Sequence, residues 1–515
     1  MEIIESILQH AVTQPNKIAL SDGHMQQTYS QLVRKMKKVA YGLQEFGCDN
    51  ERIAILSKNR MEFVEVFLGI MFAGCIPVPL DPKWSSHEMK LILGKCQPKL
   101  IFSEFDYVQN NMHNFLNYSD ELFTFSNNDE EGSYHKWLLN LKELPEYKTN
   151  EVLFISFTSG TTGIPKGYLR TPLSWVKSFE ATNDAFKFYA MEDIAAPGPF
   201  VQSLSLFALM QSLYCGAAFH LFSHFKAEEL IKLCKKTPDI ILFVVPTMIE
   251  KLLETLTKPL QIQALFSSGS KWNDESKRKA KEFFVDTKLI EFYGSSEASY
   301  ISYFDIKKDN KKGTVGKPFP GVNISVRNNN FQEVDQGEIG QLYIQSDLMF
   351  SGYFEMPNET KNVFNQGWLK LGDYVYEDED GYLYIVGRAK NMIISGGLNI
   401  YPEEVETTFK SIPEIEEVMI LGIPDAYWGE KIVAIIQWKD SQYLTDRELR
   451  SIGEKYLPSY KLPKEILTVE QFIYTSSGKI ARQKMNKCRE KSYHHAPLAK
   501  MNQTYAPLHN FFGYY

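Results

Sequence analysis

The sequence has few cysteines, and none of them stands in a metal-binding spacing. Its 515 residues include six cysteines, at positions Cys48, Cys75, Cys96, Cys215, Cys234 and Cys488. None of them forms a CxxC pair, which excludes a zinc framework and a redox motif of that type. Such scattered cysteines are typical of a reducing compartment.

The sequence also lacks targeting and membrane signals. The start, MEIIESILQHAVTQ, has no basic region followed by an apolar one, so we predict no signal peptide. Only the stretch around residues 200–222 is uncharged over a length near that of a membrane span, and several polar residues interrupt it. We therefore expect a buried helix followed by a strand there, no transmembrane segment and a cytoplasmic protein.

Excess positive charge is absent as well. The net charge is −7, which argues against nucleic acid as the main partner. The hydrophobic content of 44% and the charged content of 23% are typical of a globular protein. A chain of 515 residues is too long for one ordinary core, so we expect two or more domains.

The first part of the chain alternates helix-like and strand-like stretches. TYSQLVRKMKKVAYGLQEFG has apolar residues at helical spacing, whereas RIAILS and GCIPVPL are short strand-like runs. This alternation resumes at LFVVPTMIEKLLE and predicts an α/β fold with a mostly parallel sheet. Residues 104–150 are polar, and we predict a surface excursion there.

Residues 313–388 follow another pattern. GVNISVRN, GEIGQLYIQS and GYLYIVGR are short alternating runs between turn residues, which predicts an antiparallel or β-barrel-like section. A small α+β pattern follows GRAKN. We therefore predict a large N-terminal domain at 1–389, a small C-terminal α+β domain at 390–490 and a tail at 491–515 that either docks or stays mobile.

The stretch FTSGTTGIPKG, residues 157–167, follows an apolar strand-like run. Its glycines free backbone N–H groups, its hydroxyls add donors and its lysine adds a positive charge, so the pattern predicts an anion-binding loop. It does not fit the Walker A spacing. The sequence also contains no GxSxG nucleophile elbow, which argues against an α/β-hydrolase.

This loop resembles the phosphate loop of the adenylate-forming (AMP-binding) enzymes, a superfamily that includes acyl-CoA synthetases, firefly-type luciferases and peptide-synthetase adenylation domains. Four more motifs occur in the family's order. They are FYGSSEAS at 292–299, GWLKLGDY at 367–374, GRAKNMIISGGLNIYPEEVE at 387–406 and TSSGKIARQKM at 475–485. The resemblance spans residues 10–487 and is greatest to the bacterial fatty acyl-CoA synthetases.

The resemblance implies ATP, Mg²⁺ and CoA as ligands. The residues implied to hold the β- and γ-phosphates are Thr158, Ser159, Gly160, Thr161, Thr162, Gly163 and Lys166. Thr161 is also implied to be catalytic. Glu297 would bind Mg²⁺ and act in catalysis, and Ser296 keeps the hydroxyl where the family usually has threonine.

Further residues are implied to hold the nucleoside. Asp373 would accept hydrogen bonds from the ribose hydroxyls, and Arg388 would help to hold the ribose and phosphate region. The implied adenine walls are Gly269 and Ser270 in SSGSK, with Phe292, Tyr293 and Gly294. The alternative for Asp373 is a turn aspartate before a strand, and Glu297 taken alone is only a loop carboxylate.

The resemblance also implies a small C-terminal domain that moves. Lys479 matches the family's catalytic lysine, which bridges the incoming carboxylate and the α-phosphate. Lys390 matches the hinge. After adenylation the domain would swing, and the loop with Gly396 and Gly397 would line a pantetheine tunnel for CoA.

The substrate is predicted to be an apolar, fatty carboxylic acid. Amino-acid-activating relatives carry an aspartate after the phosphate loop, whereas APGPFVQSLSLFALM at 196–210 has no acidic residue. A buried ammonium group without a partner would be costly. Phe200, Gln202 and Leu206 are candidate pocket residues, with Gln202 in place of a common histidine, although the apolar ones could equally be core.

We therefore predict an ATP-dependent acyl-CoA synthetase. Alternatives are a ligase that loads the phosphopantetheine thiol of an acyl carrier protein, a luciferase-like oxygenase, and a non-catalytic acyl- or nucleotide-binding protein. His220 and His224 are four residues apart, but their context predicts a strand and a turn rather than a metal pair.

Overall fold

The structure is a computed structural model, and it describes most of the chain. The described residues are 2–84, 86–111, 119, 121–126, 132–142, 144–158, 166–188, 191–388, 391–395, 398–425, 428–439, 443–475 and 478–494. The chain divides into two compact units. The first consists of Met1–Ile324 and Ile344–Leu369, and the second of Ser325–Tyr343 and Lys370–Tyr515. The predicted boundary between residues 389 and 390 stays a prediction, because both lie outside the described residues, as does the chain after 494.

The amino-terminal region alternates helices and strands. Its elements are α1 Ile3–Thr13, β1 Ile18–Ser21, β2 Gln26–Thr28, α2 Tyr29–Glu45, β3 Arg52–Leu56, α3 Met61–Phe72, β4 Ile76–Leu80, α4 Ser86–Cys96, β5 Leu100–Ser103, α5 Phe105–Asn111, β6 Glu121–Thr124 and α6 Tyr134–Leu139. Helix α2 begins where the sequence predicts it. The Thr28 hydroxyl accepts from the Gln31 N–H and the Gln31 side chain accepts from the Thr28 N–H, so a capping box fixes the helix start.

The central region continues the alternation up to residue 318. Its elements are β7 Phe154–Thr158, β8 Lys166–Arg170, α7 Pro172–Phe186, β9 Asp193–Ala195, α8 Ser203–Cys215, β10 Ala218–His220, α9 Ala227–Lys236, β11 Ile241–Val244, α10 Pro246–Thr255, β12 Ala264–Ser267, α11 Asp274–Phe283, β13 Lys288–Ser295, β14 Ser299–Asp305 and β15 Lys317–Pro318. Helix α8 and strand β10 confirm the buried helix and strand predicted for the uncharged stretch. No helix within the described residues is both long and apolar enough to span a membrane.

The remaining elements are mostly short strands. They are β16 Asn323–Arg327, β17 Gly340–Gln345, β18 Gly352–Tyr353, α12 Pro357–Val363, β19 Phe364–Asn365, β20 Trp368–Glu377, β21 Leu383–Arg388, β22 Ile393–Ser395, β23 Leu398–Ile400, α13 Pro402–Lys410, β24 Ile415–Asp425, β25 Gly429–Trp438, α14 Asp446–Gly453, a 3₁₀ turn at Ser459–Lys461, β26 Glu465–Thr468 and α15 Arg482–His494.

The first unit contains the predicted parallel-rich sheets. A nine-stranded sheet has the order β15-β14-β13-β12-β11-β9-β10-β1-β2, and its six strands from β13 to β1 run parallel. A parallel four-stranded sheet has the order β4-β3-β5-β6. Helices connect parallel strands because such crossovers must return along a sheet face. The α/β prediction is therefore confirmed.

The prediction of a surface excursion at residues 104–150 is wrong. Strand β6 lies in this stretch and pairs in parallel with β5 at the edge of the four-stranded sheet. Phe123, Phe125 and Tyr134 are buried, and their rings pack around Phe102. The polar composition of the stretch concealed these aromatic residues, which complete the core over one sheet face.

The second unit is built mainly from antiparallel strands. Strands β16, β17, β20 and β21 belong to one sheet, in which β20 and β21 are antiparallel. This is the section predicted to be antiparallel or barrel-like, and its described strands form an open sheet. The following α+β part has the strand order β23-β22-β25-β24, with β26 parallel to β25. Its core contains Val405, Phe409, Ile420 and Ile432.

Candidate active site

The predicted phosphate loop connects two antiparallel strands. Thr158 ends β7, Lys166 begins β8, and the two residues are directly opposite each other in the pair. The predicted residues between them, Ser159, Gly160, Thr161, Thr162 and Gly163, lie outside the described residues. A strand–loop–strand connection differs from the strand–loop–helix of a Walker A motif, in agreement with the mismatch in sequence spacing.

Lys166 lies between an acidic and an aromatic side chain. Its Nζ is 2.5 Å from Oε2 of Glu359 on α12 and 5.4 Å from the centre of the Tyr353 ring. Both side chains of the ion pair are partly exposed, with 24% of Lys166 and 41% of Glu359 accessible. The ammonium group can therefore meet an anion that arrives from solvent, provided that it exchanges Glu359 for that anion.

Glu297 lies at the tip of the hairpin between β13 and β14. The hairpin is tight at Gly294, where a Cβ atom would lie 2.3 Å from the Ser299 carbonyl oxygen. The Ser295 hydroxyl accepts from the Ala298 N–H at 3.0 Å and closes the turn. Any side chain at position 294 would therefore clash with the backbone, whether or not Gly294 also forms an adenine wall.

Tyr353 connects the two charged groups. Its hydroxyl donates to Oε1 of Glu297 at 3.0 Å, while its ring faces Lys166. Burial, together with the charge of Glu297 and this hydrogen bond, raises the pKa of Tyr353 well above its usual value. The phenol therefore stays protonated and donates at any physiological pH.

The donor set at Glu297 fits Mg²⁺, which prefers oxygen ligands and keeps several waters or phosphate oxygens. Oε1 already accepts a hydrogen bond that orients the carboxylate. Within the described residues, no group of three or more His, Cys, Asp or Glu side chains forms a metal cluster. A single carboxylate suits a magnesium ion whose other ligands come from a nucleotide and water, and it would not suit a structural zinc ion.

A chain of hydroxyl groups reaches the same turn from α8. Oγ of Ser203 lies 2.9 Å from Oγ of Ser296 and 2.9 Å from the Tyr168 hydroxyl. Ser203 is the first residue of α8 and directly follows Gln202, the N-cap residue. The predicted Ser296 is therefore brought together with the segment that carries the predicted pocket residue Gln202.

The other two candidate pocket residues are fully buried. Phe200 is 1% exposed, and its ring packs against Phe63 and Phe219 with centroids 5.2 and 5.8 Å away. Leu206 is also 1% exposed. Their burial fits the core alternative, and their part in an acyl pocket stays a prediction.

The predicted adenine walls lie at the carboxyl ends of two neighbouring parallel strands. Gly269 and Ser270 follow β12, and Phe292 and Tyr293 lie on β13 beyond the register pair of Ser267 with Glu291. Ligands of open α/β sheets bind at this edge. Glu291, the chain neighbour of Phe292 on β13, forms an ion pair with Lys277 of α11.

This ion pair is almost completely buried. Nζ of Lys277 is 2.5 Å from Oε2 of Glu291, and their side chains are 10% and 7% exposed. The other oxygen of Glu291 accepts from the main-chain N–H of Trp272 at 2.7 Å. Glu291 therefore ties the loop after β12 to strand β13.

In the second unit, Asp373 and Arg388 form one pair. They are directly opposite each other on β20 and β21, and Nε of Arg388 donates to Oδ1 of Asp373 at 2.7 Å. The Asp373 side chain is 3% exposed and that of Arg388 is 41% exposed. The two residues predicted to hold the ribose region are thus brought together.

Lys479 lies in a tight turn of the second unit. The Thr475 N–H donates to the Lys479 carbonyl at 2.7 Å, and the Lys479 N–H donates to the Thr475 hydroxyl at 3.2 Å. Gly478 has a φ of +76°, which favours glycine. Lys390, Gly396 and Gly397 lie outside the described residues, so their predicted roles stay predictions.

Five side chains at this site were not predicted from the sequence: Tyr168, Arg170, Ser203, Tyr353 and Glu359. Strand β18 brings Tyr353 to β8, because Tyr353 and Gly352 pair with Tyr168 and Leu169. This pairing joins residues far apart in the chain. The alternation of Lys166, Tyr168 and Arg170 was the available signal, since alternate residues of a strand share one face.

Comparison with protein families gives two matches. A model described as AMP-binding enzyme matches residues 7–354, and one described as AMP-binding enzyme C-terminal domain matches residues 404–479. Together they include every predicted site residue within 158–297, as well as Lys479. Asp373, Arg388, Lys390, Gly396 and Gly397 lie between the two matched ranges.

Comparison with individual proteins gives full-length relatives. YhfT of Bacillus subtilis, an uncharacterized acyl–CoA ligase, is 33% identical, covering 96% of this chain and 99% of its own. VraA of Staphylococcus aureus, a putative long chain fatty acid–CoA ligase, is 33% identical, covering 94% and 97%.

A solved structure has the same fold. The o-succinylbenzoate CoA synthetase MenE of Bacillus subtilis, in complex with its acyl-adenylate intermediate, has a TM-score of 0.84 at 24% identity, covering 93% of this chain and 97% of its own. MenE has also been solved with ATP and magnesium ion.

Proposed function

The chain belongs to the AMP-binding enzyme family, among relatives that are acid–CoA ligases, and we propose that it activates an apolar, fatty carboxylic acid with Mg·ATP and transfers the acyl group to CoA. The observation that carries this proposal is the Lys166–Tyr353–Glu297 arrangement. One tyrosine contacts both a partly exposed cation and a carboxylate that fits magnesium, and such a cation and carboxylate together can bind a metal–triphosphate.

The first step joins two anions. A carboxylate oxygen of the acid attacks the α-phosphorus of ATP, the bond to the bridging oxygen breaks, and pyrophosphate leaves. Lys166 would neutralise charge on the leaving phosphates, and Glu297, oriented by Tyr353, would hold the magnesium ion. When bound, Mg²⁺ lowers the repulsion between the phosphates.

The second unit would complete this step. We assign the ribose hydroxyls to Asp373, with Arg388 beside it, and assign Lys479 to the developing charge between acid and α-phosphate. In the second step the CoA sulfur attacks the acyl carbon, AMP leaves, and the thiol proton passes to solvent. A swing about Lys390 would bring Gly396 and Gly397 to the CoA arm.

The fatty nature of the acid rests on two supports. Residues 196–210 contain no acidic side chain to pair with a substrate ammonium group. In addition, VraA, at 33% identity, is named a putative long chain fatty acid–CoA ligase. MenE acts on a different acid, so aromatic dicarboxylic acids belong in the test.

The experiment incubates the purified full chain with Mg·ATP and a panel of fatty, aromatic and amino acids, with and without CoA. Pyrophosphate release, acyl-adenylate and acyl-CoA are measured by coupled assay and mass spectrometry. We expect acid-dependent pyrophosphate with fatty acids and a thioester only when CoA is present. Adenylate without CoA thioester, but with loading of a holo acyl carrier protein, would favour the carrier-protein ligase instead. Absence of both products with every acid would leave a binding protein.

A matched pair of variants ties the activity to this site. Lys166→Ala should raise the KM for ATP at least tenfold, because the phosphates lose their cation, on the order expected for a charged hydrogen bond. Lys177→Ala is the control, since Lys177 also forms a lysine–glutamate pair, with Glu180 at 2.7 Å on the exposed face of α7. Equal effects of the two variants would exclude the assigned role of Lys166.

A further inference from the structure

Arg170, the last residue of β8, is a buried cation. It is 1% exposed and ranks among the largest fully buried side chains. Burial lowers the pKa of Arg170 to about 10, so the guanidinium remains charged at neutral pH. Among the described residues, no carboxylate lies within ion-pair distance of it. A buried charge that forms no direct ion pair is costly, and the reason for its presence lies in what it contacts.

Within the described residues, the hydrogen bonds of the guanidinium go to main-chain carbonyl groups of two segments. Nη2 donates to the Leu348 carbonyl at 2.6 Å. Nη1 donates to the carbonyls of Ser296 and Glu297 at 3.3 and 3.4 Å. Nε has no hydrogen-bond partner in the described part of the chain. One side chain therefore holds both the turn with Glu297 and the segment that leads to Tyr353.

These two segments also hold each other. The Phe350 N–H donates to the Glu297 carbonyl at 2.7 Å, and the Tyr353 hydroxyl donates to the Glu297 side chain at 3.0 Å. Glu297 is thus fixed through its main chain by Arg170 and Phe350 and through its side chain by Tyr353. Displacement of either segment would move the carboxylate oxygens.

A planar guanidinium is suited to binding main-chain carbonyls of both segments. Its fixed fork of N–H groups can reach carbonyls of two segments at once, whereas a lysine ammonium is a point charge on a flexible chain. The position of Arg170 in the strand is also suitable. Lys166, Tyr168 and Arg170 occupy alternate positions of β8 and so share one face, which places them together beside the Glu297 turn.

We propose that Arg170 is a positioning residue for Mg·ATP: it fixes the Ser296–Glu297 turn against the 348–353 segment and places a constant positive charge behind the Glu297 carboxylate. This role rests on the proposed function, in which Glu297 holds the magnesium ion. Arg170 itself contacts neither metal nor nucleotide. Its loss should therefore weaken the binding of metal-complexed ATP much more than the binding of metal-free ATP.

The test measures nucleotide binding to the full chain by calorimetry, with ATP plus Mg²⁺ and with ATP plus EDTA. Arg170→Met keeps the length of the side chain without the charge, and we expect it to weaken Mg·ATP binding about 10- to 100-fold, as loss of a group that orients a metal ligand does. Metal-free ATP binding should change less than about threefold. The Mg·ATP affinity of Arg170→Lys should lie between those of the unmodified protein and Arg170→Met, because lysine keeps the charge but lacks the fork of N–H groups.

A second buried charge provides the control. Glu65 is 0% exposed and accepts hydrogen bonds from Gln27, Lys35 and Tyr134 in the amino-terminal region. Glu65→Gln should lower the urea midpoint of unfolding but leave both dissociation constants unchanged. Should Arg170→Met not yield folded protein by the same urea measurement, Arg170→Lys must show the metal-specific loss by itself.

Two results would overturn the proposal. One is equal weakening of Mg·ATP and metal-free ATP, and the other is Mg·ATP binding within about twofold of the unmodified protein. These two results can be distinguished from a failure of the proposed function. If the unmodified protein binds Mg·ATP but releases no pyrophosphate with any acid, the reaction is wrong and the binding comparison still decides the role of Arg170. If the unmodified protein does not bind Mg·ATP, both the proposed function and the role of Arg170 are wrong.

Discussion

The hydroxyl of Tyr353 donates a hydrogen bond to the carboxylate of Glu297, with 3.0 Å between the oxygens. The same ring lies 5.4 Å from Nζ of Lys166. A proposed metal ligand and a proposed phosphate ligand are therefore oriented by one residue, whose pKa is raised so far by burial and by Glu297 that it stays a donor. Precise placement of a ligand by a hydrogen-bonded neighbour commonly controls metal affinity.

The variant Tyr353→Phe removes this hydrogen bond and keeps the ring over Lys166. We expect the Mg²⁺ concentration for half-maximal pyrophosphate release to rise about tenfold, on the order found for such neighbours of metal ligands. Tyr147→Phe is the control, because the Tyr147 hydroxyl donates to a Glu2 carboxylate oxygen at 2.7 Å, away from the motifs of the site. An unchanged Mg²⁺ requirement in Tyr353→Phe would contradict the orienting role.

Glu359 is expected to compete with ATP for Lys166. Their ion pair must open before the ammonium group can bind a phosphate, and the carboxylate also repels the incoming anion. Partly exposed ion pairs contribute about 0.2–1 kcal/mol, so Glu359→Gln should tighten Mg·ATP binding about two- to fivefold. Calorimetry at low and high salt measures this, and the gain should shrink as salt screens the charges.

The matched control for this prediction is Glu180→Gln. Glu180 pairs with Lys177 at 2.7 Å on the surface of α7, so its loss should leave ATP affinity unchanged. Weaker ATP binding by Glu359→Gln would show instead that Glu359 helps to position Lys166. The prediction that Glu359 competes with ATP would then be wrong.

The sequence predicted the local elements better than the site contacts. The alternation of helix and strand patterns predicted α2, β3, β11 and α10, because burial of one face per element leaves a period in the sequence. The motifs predicted Lys166, Glu297 and Asp373. Tyr353 and Glu359 were not predicted, since their contact with Lys166 depends on the pairing of β18 with β8 across about 180 residues.

The sequence also did not predict the role of Arg170, for a different physical reason. An arginine in a strand ordinarily indicates the solvent face, because burial of a charge is costly. Here main-chain carbonyls of distant segments solvate the guanidinium, and no local pattern predicts where such carbonyls lie. The aromatic residues of the 104–150 stretch were missed similarly, since their polar neighbours dominate its composition.

Lys277 and Glu291 are expected to support the predicted adenine walls by stabilising the fold next to them in the chain. Lys277→Met leaves Glu291 buried without its counter-charge, which should lower the free energy of unfolding by about 3 kcal/mol. Lys279→Met on the same helix is the control, because Lys279 pairs with Glu275 at the surface and should change stability by less than about 0.5 kcal/mol. Urea unfolding measures both, and equal values would contradict the role of the buried pair.

Lys479 is expected to act in the first chemical step alone. Lys479→Ala should slow acid-dependent pyrophosphate release about 100- to 1000-fold, the loss typical of a preorganised donor to a developing charge. Mg·ATP binding should persist, because Lys166 and Glu297 are unchanged. Thioester formation from chemically prepared acyl-adenylate and CoA should also persist, which separates this role from a general loss of structure.

The control for Lys479 is Lys455→Ala, an exposed lysine just after α14 in the same unit. It should leave both half-reactions at the level of the unmodified protein. If Lys479→Ala still forms acyl-adenylate at that level, the charge between the two reacting anions must be neutralised elsewhere. Equal slowing of adenylation and thioester formation would instead indicate that the turn closed by Thr475 and Lys479 maintains the fold of the unit and takes no part in the chemistry.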